Sequence, residues 1–319
     1  MSDRLNDESP FHKGEVAAQT RVGMHEKMVG VGIKFIRPFL LQQHRDFYSQ
    51  LPFIIVAACD ENGLPWVTML TGNALTEKAS IGEVNFITSN DETHLRFNTQ
   101  LTTGDALDKS LVKGACVGLI GIELASKRRN RANGTLSEVN SDSMLFRVTQ
   151  SFGNCPQYIL PRNWHIRPQQ QPLKVEHHHQ LTNDMQQWIA NADTLFIGSG
   201  YSQSSIDEGF SAMDASHRGG KAGFVKIVND KELVLPDYRG NNFFNTIGNI
   251  MLNPKIGLLF VDFTTGSLLQ ITAQAQVDWN SPSPEPKAKP AQAVMRLIHI
   301  KIDKIILLKN AKPLSWTLS

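Results

Sequence analysis

Two stretches, one in each half of the chain, share a residue pattern at a constant offset. The first is Val117–Ile120 (VGLI) and the second is Ile256–Leu259 (IGLL), and an acidic residue follows each at the same distance. Extended without a gap, this offset aligns Arg131 with Gln270. Because the match includes order as well as composition, it predicts two copies of one small domain. The alternative is that any two β-domains share short apolar strings.

Short β-type runs recur along the chain with little helix between them. Phe53–Ala58 and Pro65–Leu70 flank the turn Asp60–Gly63, a pattern that is typical of a hairpin. Comparable runs fill the second half, from Thr194–Ser199 to Val294–Leu308. Strands of this length and spacing favour a barrel or a sandwich. The sequence therefore predicts a mainly β protein with some α-helix.

Composition divides the chain into four segments. Residues 1–50 are predicted to form an N-terminal helical arm, 51–160 a first barrel half and 183–319 a second barrel half. Residues 161–182 are rich in proline and glutamine and contain three adjacent histidines, which is typical of an exposed linker. Adjacent histidines point in different directions, so we predict no metal site there.

Charge and composition exclude several classes of function. The formal net charge is +2, which argues against a protein that mainly binds nucleic acid. No apolar run reaches the roughly 18 residues of a membrane-spanning helix, and the polar N-terminus has no secretory h-region. The three cysteines form no CxxC pair. We therefore expect a cytoplasmic protein without disulfides.

A series of motifs extends along almost the whole chain. They lie at Phe11–Glu15, Gln150–Tyr158, Ser216–Gly220, Pro236–Asn241, Gly248–Asn249 and Gly257–Phe263. In this order they resemble the pyridoxamine 5′-phosphate oxidase-related proteins, in their predicted flavin-nucleotide-binding branch. The resemblance implies a split β-barrel of FMN-binding type, with FMN between two barrels. In this chain, two tandem barrels would form an intrachain pseudo-dimer.

The resemblance also implies which residues hold the FMN phosphate. Lys221 stands where the family has an arginine, and Lys226 stands where it has a strand lysine. Asn241 and Asn242 replace a serine and a lysine, so that Arg218 or Arg239 would supply the missing charge. Gln150-Ser151 resembles a Gln-Ser pair that, in the family, contacts flavin from the partner barrel.

The residue chemistry around these motifs suits a phosphate. Glycines near Arg218 allow close backbone approach, and asparagines precede a predicted helix at Phe243–Met251, whose N-terminus would attract an anion. The alternatives are a basic surface turn and simple helix caps. The residues predicted to bind FMN are His217, Arg218, Gly219, Gly220, Lys221, Pro236, Asp237, Tyr238, Arg239, Asn241, Asn242, Asn245, Gln150 and Ser151.

Two other features leave alternatives open. Arg128, Arg129 and Arg131 form the densest basic cluster, which is either a solvated hairpin end or an anion contact at the barrel interface. Cys155 is either a nucleophile or, more commonly for such a residue, a small buried thiol. No catalytic residue is predicted.

The resemblance favours an FMN-dependent oxidoreductase that passes hydride or electrons to an unknown small molecule. One alternative is a non-enzymatic module that binds or senses flavin or haem. Another is an electron-transfer partner of a separate reductase. The sequence leaves open whether the whole chain forms a homodimer.

Overall fold

The computed structural model describes residues 9–73, 86–153, 155–167, 171–201, 212–280 and 293–319. The first half of this part contains α1 (Lys13–Arg21), α2 (His25–Phe35), α3 (Gln42–Ser49), β1 (Phe53–Cys59), β2 (Pro65–Thr71), β3 (Ile87–Thr88), β4 (His94–Asn98), β5 (Cys116–Glu123), β6 (Arg128–Val139) and β7 (Ser143–Gly153). The second half contains β8 (Arg162–Ile166), β9 (Lys174–His178), α4 (Asn183–Asn191), β10 (Thr194–Tyr201), β11 (Ala212–Gly219), β12 (Lys226–Asn229), β13 (Glu232–Tyr238), α5 (Asn245–Leu252), β14 (Lys255–Val261), β15 (Leu268–Asp278), β16 (Val294–Lys309) and β17 (Leu314–Leu318).

The two large sheets have the same strand order. The first runs β2-β1-β5-β6-β7-β4-β3, and the second runs β11-β10-β14-β15-β16-β13-β12. All of these pairs are antiparallel, and each strand of the first sheet has a counterpart in the second. The prediction of a mainly β chain with two tandem barrels is therefore confirmed.

The registers reproduce the offset seen in the sequence. Ile120 on β5 pairs with Arg131 on β6, and Leu259 on β14 pairs with Gln270 on β15. Arg131 and Gln270 therefore occupy equivalent positions in the two sheets. The registers of β1 with β2 and of β10 with β11 likewise place Thr68 and Ser216 at equivalent positions.

The two sheets pack face to face at strands that lack a side chain at the crossing. A Cβ added to Gly118 would lie 2.6 Å from the Cα of Asp214 on β11, and one added to Gly257 would lie 2.7 Å from the Cα of Trp66 on β2. Strands at this crossing are buried on both faces, which explains the uninterrupted apolar run of β1. The outer strand β4 instead alternates buried and half-buried residues.

The N-terminal helices connect the first sheet to the second. α1 begins with a capping box in which His12 and Glu15 bond each other's backbone amides. It packs on α5, where the glycines Gly14 and Gly248 let the two backbones approach closely. A small apolar cluster around Phe11, built with Phe152 and Phe243, closes this junction.

Residues 161–182, predicted to be an exposed linker, include two strands. β8 pairs with β17 near the C-terminus, and β9 adds to the edge of the long strand β16. His177 and His178 of the histidine run lie on β9, opposite Ile306 and Ile305. Among the described helices, none is both long and apolar enough to cross a lipid bilayer.

We predict that the crossing of the two sheets tolerates no added methyl group. Gly118→Ala should lower the free energy of unfolding by about 1–3 kcal/mol, because the new Cβ meets backbone that cannot yield easily. Gly30→Ala is the matched control, since a Cβ on this residue of α2 meets no atom within 4 Å. Denaturant unfolding of both variants measures the effect, and equal stabilities would contradict this packing.

Candidate functional site

A cluster of cationic and imidazole side chains lies where β6 of the first sheet faces β11 of the second. We call Arg129, Arg131, His217 and Arg218 the arginine cluster. Arg129 Nη1 lies 3.0 Å from His217 Nδ1. Because a guanidinium only donates, His217 accepts at Nδ1 and carries its proton on Nε2. The two sheets therefore contribute two residues each to one buried site.

Each member of the arginine cluster has a buried donor without a partner. Within the described part of the chain, the Nε atoms of the three arginines and Nε2 of His217 are buried and form no hydrogen bond. An unsatisfied buried donor costs about 1–3 kcal/mol, more when it is charged. Four such donors at one place indicate a site for an acceptor, and an anion satisfies charge and hydrogen bonding together.

Carboxylates offset only part of the positive charge. Arg131 Nη1 lies 3.3 Å from Asp214 and donates to Asn245 Oδ1 at 3.0 Å. Asp237 is shared, with Arg218 Nη1 at 3.4 Å and Arg296 Nη2 at 2.8 Å. Arg129 has no carboxylate within 4.0 Å in the described residues. Positive charge therefore remains in excess.

The pKa values follow from this crowding of cations. Burial, with further contributions from Arg129, Arg218 and Arg131, lowers the pKa of His217 well below its ordinary value, so the imidazole is neutral. Burial, reinforced by Arg131 and Arg218, lowers the pKa of Arg129 to about 9, which leaves it charged at neutral pH. An anion at the site would relieve this repulsion.

Three cavities meet around the arginine cluster. A cavity of about 80 Å³ is lined by all of its members, and one of about 60 Å³ lies beside Arg131 and Arg218. A cleft of about 800 Å³ joins the first cavity along Tyr158, Phe224 and Tyr238. The two tyrosine rings stack with centroids 5.2 Å apart. A slightly larger cavity, of about 820 Å³ near Trp279, is lined by no member of the cluster.

Most residues predicted to bind FMN line these three spaces. The 80 Å³ cavity is lined by His217, Arg218, Gly219, Pro236, Tyr238, Arg239 and Asn241. The 60 Å³ cavity adds Asp237, Asn242 and Asn245. The cleft adds Gly220 and Lys221, so that twelve of the predicted residues surround one region.

Gln150 and Ser151 lie apart from the three cavities. Ser151 pairs with Ala132 on β6, the residue that directly follows Arg131. Because successive residues of a strand face opposite sides, Ala132 and Ser151 face the side of the sheet away from the Arg131 side chain. Its hydroxyl lies 3.4 Å from His44 Nδ1. Gln150 Nε2 donates to the carbonyl of Pro10 at 3.4 Å.

The suggestion that Asn241 or Asn242 caps the following helix is wrong. α5 begins at Asn245, its N-cap residue is Phe244 in a left-handed conformation, and no side chain caps it. Asn241 Oδ1 instead accepts from the backbone N–H of Phe243, at 3.1 Å, in a local turn.

The residues that sequence reasoning did not assign to the site are Arg129, Arg131 and Tyr158. Both arginines contact β11 of the second sheet and do not form a solvated hairpin end; Arg131 is buried and Arg129 is half-buried. The sequence signal that could have found Arg131 is its alignment with Gln270 in the repeated strand pattern. Tyr158 lies at φ 66° and donates to the carbonyl of Arg239, which fixes its ring beside Tyr238.

The equivalent position of the second sheet holds a different group of side chains. Gln270 donates to the carbonyl of Val67 at 3.0 Å and to Asp105 at 3.2 Å. Thr68 donates to the other oxygen of Asp105. Lys312 is buried nearby, where its charge opposes the burial-driven rise in the pKa of Asp105. The polar side chains at this position have hydrogen-bond partners, whereas the arginine cluster has buried donors without partners in the described residues.

Glu15 connects helix α1 to the arginine cluster. Asn245 donates to Glu15 and accepts from Arg131, so one amide bridges the carboxyl and the guanidinium. Burial raises the pKa of Glu15 to about 8, against the opposing hydrogen bonds from the backbone of His12 and from Asn245. Glu15 is therefore mostly protonated at neutral pH and removes little of the positive charge from the cluster.

We predict that Glu15 makes stability fall as the pH rises. A carboxyl whose pKa is higher in the folded state stabilises it fully below its ordinary pKa of 4.5, and the contribution is lost as the pH approaches 8. Glu15→Gln stays neutral and should flatten this decline in phosphate-free denaturant titrations. The exposed Glu61→Gln is the control. If both variants keep the decline of the original chain, the assignment fails.

Comparisons with known proteins found structural neighbours only. No protein-family profile and no curated protein matches the chain. HupZ of Group A Streptococcus is similar at 15% identity and TM-score 0.30, covering 39% of this chain and 91% of its own. An FMN-binding protein from Syntrophomonas wolfei is similar at 10% identity and TM-score 0.27, and the match covers 38% of this chain and 80% of that protein. General stress protein 26 from Bacillus anthracis is similar at 13% identity and TM-score 0.27, and the match covers 41% of this chain and 93% of that protein.

Proposed function

We propose that this chain is an FMN-binding oxidoreductase in which the arginine cluster holds the phosphate of the cofactor. The observation that carries the proposal is the set of four buried N–H donors without partners, contributed by both sheets. The motif resemblance to pyridoxamine 5′-phosphate oxidase-related proteins supports the choice of FMN among phosphorylated ligands.

The cavities suit a ligand with a small anionic end and a larger flat body. A phosphate is a compact dianion that binds forked guanidinium donors well. The cavity of about 80 Å³ is of the right order for such a group but is too small for a whole flavin. The adjoining cleft of about 800 Å³ provides the remaining room.

The walls of the cleft suit an aromatic ring system. Tyr158, Tyr238 and Phe224 present aromatic surface where the cleft meets the arginine cluster. Gly219 approaches the carbonyl of Tyr158 so closely that a Cβ would not fit between them. A larger residue at Gly219 would therefore push the 155–159 segment away from the site.

Bound FMN would supply reversible transfer of hydride or electrons. The residues of this chain would bind and orient it. Arg129, Arg131 and Arg218 would neutralise the phosphate, and the tyrosines would exclude water from one side of the ring. The reaction partner would be a small molecule that reaches the cleft, which the exposed residues Lys221 and Gly223 line in part.

The phosphate assignment predicts a loss of FMN affinity in Arg218→Ala. This variant suits the test because Asp237 keeps its ion pair with Arg296 when Arg218 is removed. We expect the Kd for FMN to rise at least tenfold, since a charge-assisted contact contributes roughly 1.5–3 kcal/mol.

Lys231→Ala removes an exposed cation that lines none of the three cavities and controls for net charge. Arg218→Lys, which keeps the charge but loses the fork, should give an intermediate Kd. Fluorescence titration with FMN measures all four proteins. Equal affinity in Arg218→Ala and Lys231→Ala would contradict the assignment.

The oxidoreductase assignment predicts that the flavin-loaded protein accepts electrons. Anaerobic NADH or NADPH should bleach flavin absorbance near about 450 nm, and an added acceptor should restore it. Bleaching only when a separate reductase is added would instead identify an electron-transfer partner. Tight FMN binding with no reduction by either route would leave a flavin-binding module and refute the enzymatic assignment.

A further inference from the structure

A second basic cavity shares Arg129 with the 80 Å³ cavity of the proposed flavin site. Its volume is about 530 Å³, within the range of small-molecule sites. Arg37, Lys127, Arg128 and Arg129 contribute its positive charge, and no aspartate or glutamate lines it among the described residues.

The backbone fixes the positions of the residues that carry these cations. Arg37 forms a bridge with Ser151, with N–H···O distances of 3.0 and 2.7 Å, which joins the α2–α3 connection to β7. Lys127 adopts a left-handed conformation at φ 58° in the tight turn between β5 and β6. The guanidinium of Arg128 lies 5.0 Å above the ring of Phe47. The charges are therefore carried by a hairpin and a bridged loop with defined positions.

These four cations have no carboxylate partner in the part of the chain that the structure describes. None of them lies within 4.0 Å of an aspartate or glutamate oxygen there. Glu123, the acidic residue nearest to this turn in sequence, accepts from Ser126 instead. Like charges gathered without counter-charge repel one another, and a bound anion relieves that repulsion.

Arg129 belongs to both basic cavities and brings a buried donor to the region between them. Its Nε atom is buried without a partner in the described residues. Arg129 lines both the second basic cavity and the 80 Å³ cavity of the arginine cluster. Two ligands, one in each cavity, would therefore both lie beside Arg129.

The rest of the second basic cavity is partly apolar. Phe35 and Leu41 line it, and the Phe35 side chain is 49% exposed although it is large and aromatic. Burial, together with Arg37 and Arg128, lowers the pKa of His44, which leaves a neutral imidazole on the remaining wall. Cations beside an exposed aromatic ring match a phosphorylated molecule that also carries a ring.

We propose that the second basic cavity binds a phosphorylated small molecule of nucleotide size, with its phosphates on Arg37 and Arg128 and its ring against Phe35. Anion binding here stands on these residues alone. If FMN binds as proposed above, this molecule would be a co-substrate beside it, and that role rests on the proposed function.

Calorimetric titration with inorganic pyrophosphate and with ADP tests the proposal on the full-length protein. The test variant is Arg37→Ala/Arg128→Ala. Its matched control is Lys113→Ala/Lys231→Ala, which removes the same charge from two exposed positions outside both cavities. Each protein is titrated with and without saturating FMN, and thermal melts confirm folding. Arg37→Gln/Arg128→Gln replaces the test variant if the alanine form does not fold.

We expect the test variant to bind pyrophosphate at least tenfold more weakly than the control, with its FMN affinity unchanged. ADP should bind more tightly than pyrophosphate, and Phe35→Ala should remove that difference. If FMN does not bind at all, the proposed function fails, and the titrations without FMN still test this cavity. Equal pyrophosphate affinity in the test variant and the control would overturn the proposal.

Discussion

The close packing of the two sheets at Gly118 and Gly257 determines where a buried site can form. At these residues the backbone of one sheet touches the backbone of the other, and no side chain separates them. β11 is thereby pressed against β5 and β6, and β2 against β14 and β15. Side chains next to each crossing are buried between two barrels, where a charge needs a partner.

The duplicated fold creates two equivalent crossings, and these carry different side chains. At one, Gln270 and Thr68 both donate hydrogen bonds to Asp105. At the other, Arg131 occupies the position of Gln270, and further cations surround it with donors left over. A symmetric pair of sites would require the same residues at both. The difference explains why one crossing is structural and the other is suited to bind an anion.

Much of this arrangement could be read from the sequence. The repeated strand pattern predicted the duplication and the alignment of Arg131 with Gln270, because strand registers preserve spacing. The position of Arg129 and Arg131 at the interface could not be predicted, since a basic hairpin looks the same whether it faces solvent or a second sheet. The position of Ser151 depends on which face of β7 meets the other barrel, and a short motif does not specify that.

The central claim is that one crossing of the two sheets, and not its counterpart, binds a phosphate. A crystal structure of the protein soaked with FMN tests it most directly. We expect phosphate density within hydrogen-bonding distance of Arg129, Arg131 and Arg218, and none beside Gln270. Phosphate density at the Gln270 position, or FMN bound with its phosphate away from the arginine cluster, would contradict it.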